Sequence, residues 1–424
     1  YEFFVAVISQ VFQPDTLFFN LLGTTLGVIF GCIPGLTGAM LMILSLPFTY
    51  YMNSVNALSL LVAMYVGSIS GGLISAILFK MPGTPASVIT VLDGYPMAAK
   101  GEPGKALGLG IMASFVGGVI GFFFLFFLSE VLAKVALYFG PFETFALVLM
   151  ALVLIVSVSE GSLLRGMMSG LFGLLVAIPG YDVTSGQPRF TFGIRSLEAG
   201  FSQVPVLIGM FVVAEIIITV ISYLKENPQN IVQTSSSKSS VKLPWRLLGI
   251  VNTIRSSLIG VWVGALPGVG GSIGSIISYS MAKNFSKEPD KFGQGAPEGI
   301  VASETSNNAA VGGALIPLLS LGIPGSLLAA ILLGAFTIHG ITPGPLLFAE
   351  QNGVLVYSII WGYLISNVLM FLVMVILIRP IARLVLIPKN YLLPAILLFC
   401  VLGTFALNNR VFDIVIMIIF AVIG

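Results

Sequence analysis

Apolar runs of about 20 residues, each long enough to cross a hydrocarbon core roughly 30 Å thick, recur from one end of this sequence to the other. No other feature limits the fold so strongly. Backbone N–H and C=O groups in hydrocarbon must be satisfied within the protein, so only helices or a closed barrel can span it. The runs are continuous and lack the period-2 alternation of a barrel strand, which leaves helices. Composition agrees: 57% of the 424 residues are hydrophobic and 8% are charged, against about 25% charged in soluble domains. The chain reads as an all-α polytopic membrane protein. Its formal net charge is +2 without any basic run, so nucleic acid is not an expected partner. Cys32 and Cys400 are isolated in apolar sequence and His339 is the single histidine, so no disulfide, metal centre or cofactor is indicated.

The longest hydrophilic stretch, 225–243, is Ser-rich and holds an Asn-Pro pair and three lysines. It reads as a polar linker between a first transmembrane half, 1–224, and a second, 244–424. Spans are expected near 18–46, 57–79, 107–128, 145–158, 163–178 and 206–224, then near 247–281, 300–321, 327–338, 354–378, 392–407 and from 411 on. That gives roughly nine to twelve crossings. The chain opens Tyr-Glu-Phe-Phe without an initiator Met and closes inside an apolar run, so natural sequence is expected beyond both ends.

The interruptions inside these runs match between halves. GCIPGLTGA, Gly31 to Ala39, and GALPGVGGS, Gly264 to Ser272, share the pattern G-x-x-P-G-x-x-G. Further on, MPGTPAS from Met81 parallels IPGSLLA from Ile323, each Pro-Gly being followed by a hydroxyl residue, Thr84 or Ser326. A Gly and a Pro then close each unit, as Asp93-Gly94-Tyr95-Pro96 and as Gly340-Ile341-Thr342-Pro343. The same breaks in the same order indicate an internal duplication. We expect two related halves, of inverted topology, with discontinuous helices.

Proline removes a backbone donor and glycine weakens a helix, so Pro-Gly in mid-membrane ends one. The freed backbone groups cost several kcal/mol unless protein, water or a ligand satisfies them. A helix restarting after such a break presents free N–H groups and about half a positive charge, an anion site that needs no Arg or Lys. Matching broken helices in two repeats are a sequence pointer to a transporter's midplane site. This reading gives substrate-contact candidates at Pro34, Gly35, Thr37, Gly38, Gly83, Thr84, Pro267, Gly268, Gly270, Gly271, Ser272, Gly325 and Ser326. Isolated glycines such as Gly117, Gly118 and Gly170 read as helix-packing positions.

In SETSNNAAVGG, Glu304, Ser306, Asn307 and Asn308 precede a long apolar stretch. Intramembrane ionisable residues are costly and mark ion or substrate paths by default. An Asn offers a donor to a carboxylate and a carbonyl oxygen to a hard cation. Asn307 and Asn308 are therefore candidates for substrate, and Glu304, Ser306 and Asn307 for the coupling ion, with capping at a membrane surface as the structural alternative. His339, Asp93, Glu143, Glu160 and Glu215 read as structural. Lys100, Lys105, Lys283, Lys287 and Lys291 fall in short polar loops, as cytoplasmic flanks do. There is no H-E-x-x-H, no G-x-S-x-G with a partner His and no G-x-x-x-x-G-K-[ST], so neither an enzyme nor an ATP-driven motor is expected.

The segments from Gly67 to Gly108 and from Ala296 to Gly325 resemble the large membrane subunit of the tripartite tricarboxylate transporters, and the resemblance extends over essentially the whole chain. It implies a bacterial inner-membrane permease driven by an ion gradient, usually of sodium. It also implies a small membrane subunit and a periplasmic solute-binding protein that delivers citrate or a related di- or tricarboxylate. One position departs from the family pattern: Lys80 stands where Asn is expected before the first Pro-Gly. It is a specificity candidate that would pair with an extra carboxylate or snorkel to the interface. A proton-coupled symporter using Glu304, a passive anion channel and a non-transporting receptor are the rival readings.

Overall fold

The computed structural model describes residues 2–158, 163–182, 186–225, 241–384 and 389–424, and Glu160 lies outside the described residues. In chain order the helices are α1 (Glu2–Val11), α2 (Pro14–Cys32), α3 (Gly38–Thr49), α4 (Ser54–Phe79), α5 (Val88–Ala99), α6 (Pro103–Ala136), α7 (Pro141–Val158) and α8 (Leu163–Ala177). There follow α9 (Gln203–Leu207), α10 (Ala214–Lys225), α11 (Ile250–Ala265), α12 (Gly270–Phe285), α13 (Pro297–Leu321), α14 (Leu327–Ile338), α15 (Glu350–Leu384), α16 (Lys389–Asn408) and α17 (Val411–Ile423). Between α9 and α10 the chain winds as a π-helix, Ile208–Val213. Among the described residues six helical stretches are long and apolar enough to cross a membrane: Pro14–Cys32, Ser54–Phe79, Pro103–Ala136, Gln203–Ser222, Asn352–Leu384 and Tyr391–Asn408. Six shorter apolar helices accompany them. The chain is thus a multi-pass helical membrane protein.

Two compact units form. The first comprises Tyr1–Met42, Met52–Phe145 and Asn230–Ile387; the second comprises Ile43–Tyr51, Ala146–Gln229 and Pro388–Gly424. Each draws on sequence from both sides of the expected linker, most of which lies outside the described residues.

In the first unit α4 and α13 are the innermost helices. Every residue of α13 from Gly299 to Ser320 is buried. A helix enclosed on all sides must let its neighbours approach closely, and small residues permit this. Gly27 and Gly31 of α2 sit on the backbone of α4 at Met64 and Ser68, while Gly260 and Gly264 of α11 sit on the backbone of α13 at Ser306 and Ala310. Gly117 of α6 lies on the Thr305 backbone and Gly118 against the Asn367 side chain, as packing glycines should.

The second unit contains α8, α9, α10, α16, α17, most of α7 and the later part of α3 from Ile43. It also carries a short antiparallel ladder, Gly180–Tyr181 with Pro188–Arg189, which the all-helical expectation did not include. Here Gly209 lies on the backbone of α17 at Met417, and Phe201 meets Phe420 edge-on at 5.6 Å. Gly170 has open space with only a Val156 methyl nearby.

The segment Asp93 to Pro96, expected as a closing turn, lies inside α5. Proline within a helix frees the carbonyl four residues back, here that of Leu92, a residue 44% exposed. Gly340 to Pro343 does lie between helices.

Candidate functional site

In the first unit α2 ends at Cys32 and α3 begins at Gly38, with Pro34 and Gly35 between them; Gly35 has φ +89°. Thr37 caps α3, its Oγ1 accepting the Met40 N–H at 3.1 Å. Likewise α11 ends at Ala265 and α12 begins at Gly270, with Pro267 and Gly268 between. No side chain caps α12, whose first turn carries Gly270, Gly271 and Ser272.

The two Pro-Gly tips are built alike. Lys80 ends α4 in the left-handed conformation, φ 58°, and Gly322 ends α13 in the same way, φ 72°. A methyl group on Gly83 would collide with the Gly31 carbonyl oxygen, and one on Gly325 with the Gly264 carbonyl oxygen. Each tip therefore folds onto the first glycine of the preceding break. Thr84 and Ser87 form a reciprocal capping box around the 3-10 turn Pro85–Ser87, which leads into α5. Ser326 caps α14, accepting the Ala329 N–H at 3.2 Å, and its Oγ lies 2.7 Å from the Tyr65 hydroxyl. Left-handed backbone suits Gly or Asn, so the Asn expected at position 80 has a local reason, and the lysine there adopts an unfavourable conformation. The Lys80 side chain is exposed and lies 5.6 Å from the Tyr95 ring centroid, a cation–π distance.

The polar patch of α13 divides between two faces. Glu304 points toward α5 and α6: its Oε1 accepts from Thr90 Oγ1 at 2.5 Å and its Oε2 from Ser114 Oγ at 3.1 Å. Thr90 Oγ1 is also 3.1 Å from Ser303 Oγ. Asn308 shares this side, donating to the Glu304 carbonyl at 3.0 Å and accepting from Ser70 Oγ of α4 at 2.6 Å. Ser306 and Asn307 face α12 instead. Ser306 Oγ lies beside Gly274 and Asn307 Oδ1 beside Gly271, in the first turn of α12. The Asn307 side chain is 1% exposed, and neither its Oδ1 nor its Nδ2 has a hydrogen-bond partner; Ser306 Oγ has none either. Buried polar atoms are rarely left this way. Glu304 thus joins Asn308 and is separated from Ser306 and Asn307.

Asp93, read from the sequence as structural, holds a loop that its local sequence does not point to. Its Oδ1 accepts three backbone N–H groups, of Gly293, Gly295 and Ala296, each at 2.8 Å, and its Oδ2 accepts the Tyr279 hydroxyl at 2.8 Å. The loop converges on it because Gly293 and Gly295 have positive φ, 86° and 105°. Thr90, Ser114, Ser70 and Tyr65 were not among the expected site residues. For Tyr65 a signal existed: it lies sixteen residues before Met81, as Asn307 lies sixteen before Ile323. His339 ends α14, and the described residues contain no group of three metal-ligating side chains.

A multi-pass helical bundle whose enclosed helix carries a buried polar patch beside a helix break has the build of a membrane permease. The chain belongs to the tripartite tricarboxylate transporter TctA family, a transporter family that matches it over residues 17–424. An Agrobacterium vitis protein described as an uncharacterized 52.8 kDa protein in the TAR-I ttuC' 3' region is 36% identical over 413 residues, 97% of this chain and 81% of that protein. A second A. vitis protein, described as an uncharacterized protein in the TAR-II ttuC' 3' region, is 41% identical over 165 residues, 39% of this chain and 68% of that protein. No solved structure matches.

Proposed function

We propose that this chain is the large permease subunit of a binding-protein-dependent system that imports small di- or tricarboxylates, citrate among them, across a bacterial inner membrane. Uptake is coupled to a cation gradient, with sodium as the ion. A small membrane subunit and a periplasmic solute-binding protein complete the system. The observation that carries the reading is the unpartnered Asn307 amide, buried against the uncapped N-terminus of α12. Free N–H groups and the helix dipole favour an anion there, and the amide supplies a further donor. Ser306 and Asn307 offer oxygens to a coupling cation on the α12 face of α13, and Glu304 offers its carboxyl on the face toward α5 and α6. The like construction of the two tips supports descent from a duplicated half. An inverted arrangement of the halves would let one move against the other about a fixed site.

The test is uptake of labelled citrate into proteoliposomes holding the full-length chain, its small membrane subunit and its binding protein. Saturable accumulation driven by an inward sodium gradient, and competed by unlabelled di- or tricarboxylates, is the expected result. Failure of every carboxylate to accumulate or compete would remove the substrate assignment. Unitary currents in place of saturable uptake would make it a channel.

One observation favours a second reading, proton coupling. The Glu304 carboxyl is fully buried, its partners are two hydroxyls, and none of the ion pairs among the described residues includes it. An intramembrane carboxyl held by hydroxyls alone is the kind of group from which proton relays are built. Under this reading Glu304→Gln abolishes the pH dependence of uptake; under sodium coupling the variant keeps its sodium requirement.

A further inference from the structure

We infer that the carboxylate site is one-ended: the first turn of α12 with Asn307 takes the ligand's anionic group, and the corresponding place at α3 is closed by the chain's own Thr37, Tyr65 and Ser326. This inference rests on the carboxylate-permease reading and sharpens where in the molecule the anion is held.

The two places correspond residue by residue. Gly31 and Gly264 rest on the backbone of Ser68 and Ala310 respectively. Three residues before each of these stand Tyr65 on α4 and Asn307 on α13. Likewise Gly38 opens α3 where Gly271 stands in the first turn of α12, seven residues after Gly31 and Gly264. Equivalent backbones have received different side chains.

At the α3 end Thr37, Tyr65 and Ser326 all find partners within the chain. Thr37 caps the helix by accepting the Met40 N–H at 3.1 Å. The Tyr65 hydroxyl, 3% exposed as a residue, meets Ser326 Oγ at 2.7 Å. Space is filled as well: a methyl group on Gly38 would overlap the Ser68 side chain and touch Leu328 of α14. An anion arriving here would find the Met40 N–H taken and its volume occupied.

The α12 end is the reverse. Its N-terminus has no side-chain cap. A methyl group on Gly270 would meet nothing within 4 Å, and one on Gly271 would meet only Asn307 Oδ1 closer than 3.5 Å. Where Tyr65 is long enough to find Ser326, Asn307 is short and both of its polar atoms are left without partners. A buried amide in that state loses the free energy of its missing hydrogen bonds unless a ligand supplies them. A carboxylate accepts from the free N–H groups and from the amide together, which a neutral ligand of the same size cannot match.

The test uses the purified chain in lipid nanodiscs, titrated calorimetrically with citrate and, separately, with sulfate as an anion lacking carbon. Asn307→Asp is nearly isosteric and sets a negative charge at the site; it should weaken both anions at least tenfold. Asn307→Ser serves if the aspartate variant does not fold, and should weaken them in the same sense. Thr37→Val and Tyr65→Phe should leave both affinities within about threefold, a change worth under roughly 1 kcal/mol. Thermal unfolding midpoints establish that each variant is folded. If Thr37→Val or Tyr65→Phe weakens binding as much as the Asn307 variants, the site is two-ended and the inference is overturned. Unchanged affinity in the Asn307 variants overturns it too. Sulfate behaving as described while citrate does not bind would leave the one-ended site standing and remove the carboxylate reading alone. If neither anion binds the unaltered chain, both fall.

Discussion

Asp93 and Glu304 are both fully buried carboxyl groups, and their surroundings assign them opposite roles. Asp93 receives three backbone N–H donors and a phenol hydroxyl. Glu304 receives two hydroxyls. Replacing Asp93 by Asn leaves loop N–H groups facing an amide that accepts more weakly and introduces donors of its own. The cost should be about 2–4 kcal/mol, read as a lower thermal unfolding midpoint of the purified chain. Replacing Glu304 by Gln removes a group with no cationic partner among the described ion pairs and should change stability by about 1 kcal/mol or less. Equal losses from the two substitutions would contradict this contrast. Thr90 and Ser114 escape a reading of sequence because a lone hydroxyl in an apolar helix commonly bonds a carbonyl of its own preceding turn. Only the folded chain shows both aimed at one carboxyl. The donors that hold Asp93 lie two hundred residues further along, at Gly293 to Ala296, beyond the reach of any local pattern.

At the scale of elements, the tips depend on bare backbone. A methyl group on Gly83 or Gly325 meets a main-chain carbonyl oxygen, which cannot swing aside as a side-chain end can. Gly83→Ala and Gly325→Ala should each cost about 2–3 kcal/mol. Gly173→Ala in α8, where nothing lies within 4 Å, should be neutral or favourable by up to about 1 kcal/mol. Unfolding midpoints of the three variants side by side check this ranking. Helix extents were largely legible in the sequence, since the length of an apolar run is a local property: the run expected at 57–79 became Ser54–Phe79, and that at 300–321 became Pro297–Leu321. The long runs 18–46 and 247–281 each became two helices, divided at Pro34-Gly35 and Pro267-Gly268. The helix α5 was not legible, because Asp-Gly-Tyr-Pro carries turn residues and its helical state depends on packing against α4, α6 and α13. The polar patch was visible because Asn and Glu are rare in apolar surroundings; its division between two faces required knowing which helices stand on each side.

For the molecule as a whole, exposure of large apolar side chains is the imprint of lipid. Trp262 of α11 is 72% exposed, whereas Trp361 of α15 packs against Phe4, Phe122 and Phe126. In single-tryptophan variants reconstituted with brominated lipid, fluorescence from Trp262 should be quenched strongly and that from Trp361 weakly; the opposite order would mean that α11 turns another face to the membrane. The enclosed α13 has a consequence for biosynthesis. It is 25 residues long, yet it is absent from the six stretches apolar enough to cross a bilayer alone. A translocon partitions each segment by its affinity for lipid as it emerges, and α13 offers Glu304, Asn307 and Asn308 to that decision. Placed singly in an insertion reporter, the α13 segment should be passed over where the α4 segment is retained. In the cell it must wait for the helices that will surround it, so this part of the chain matures in groups of helices and not one crossing at a time.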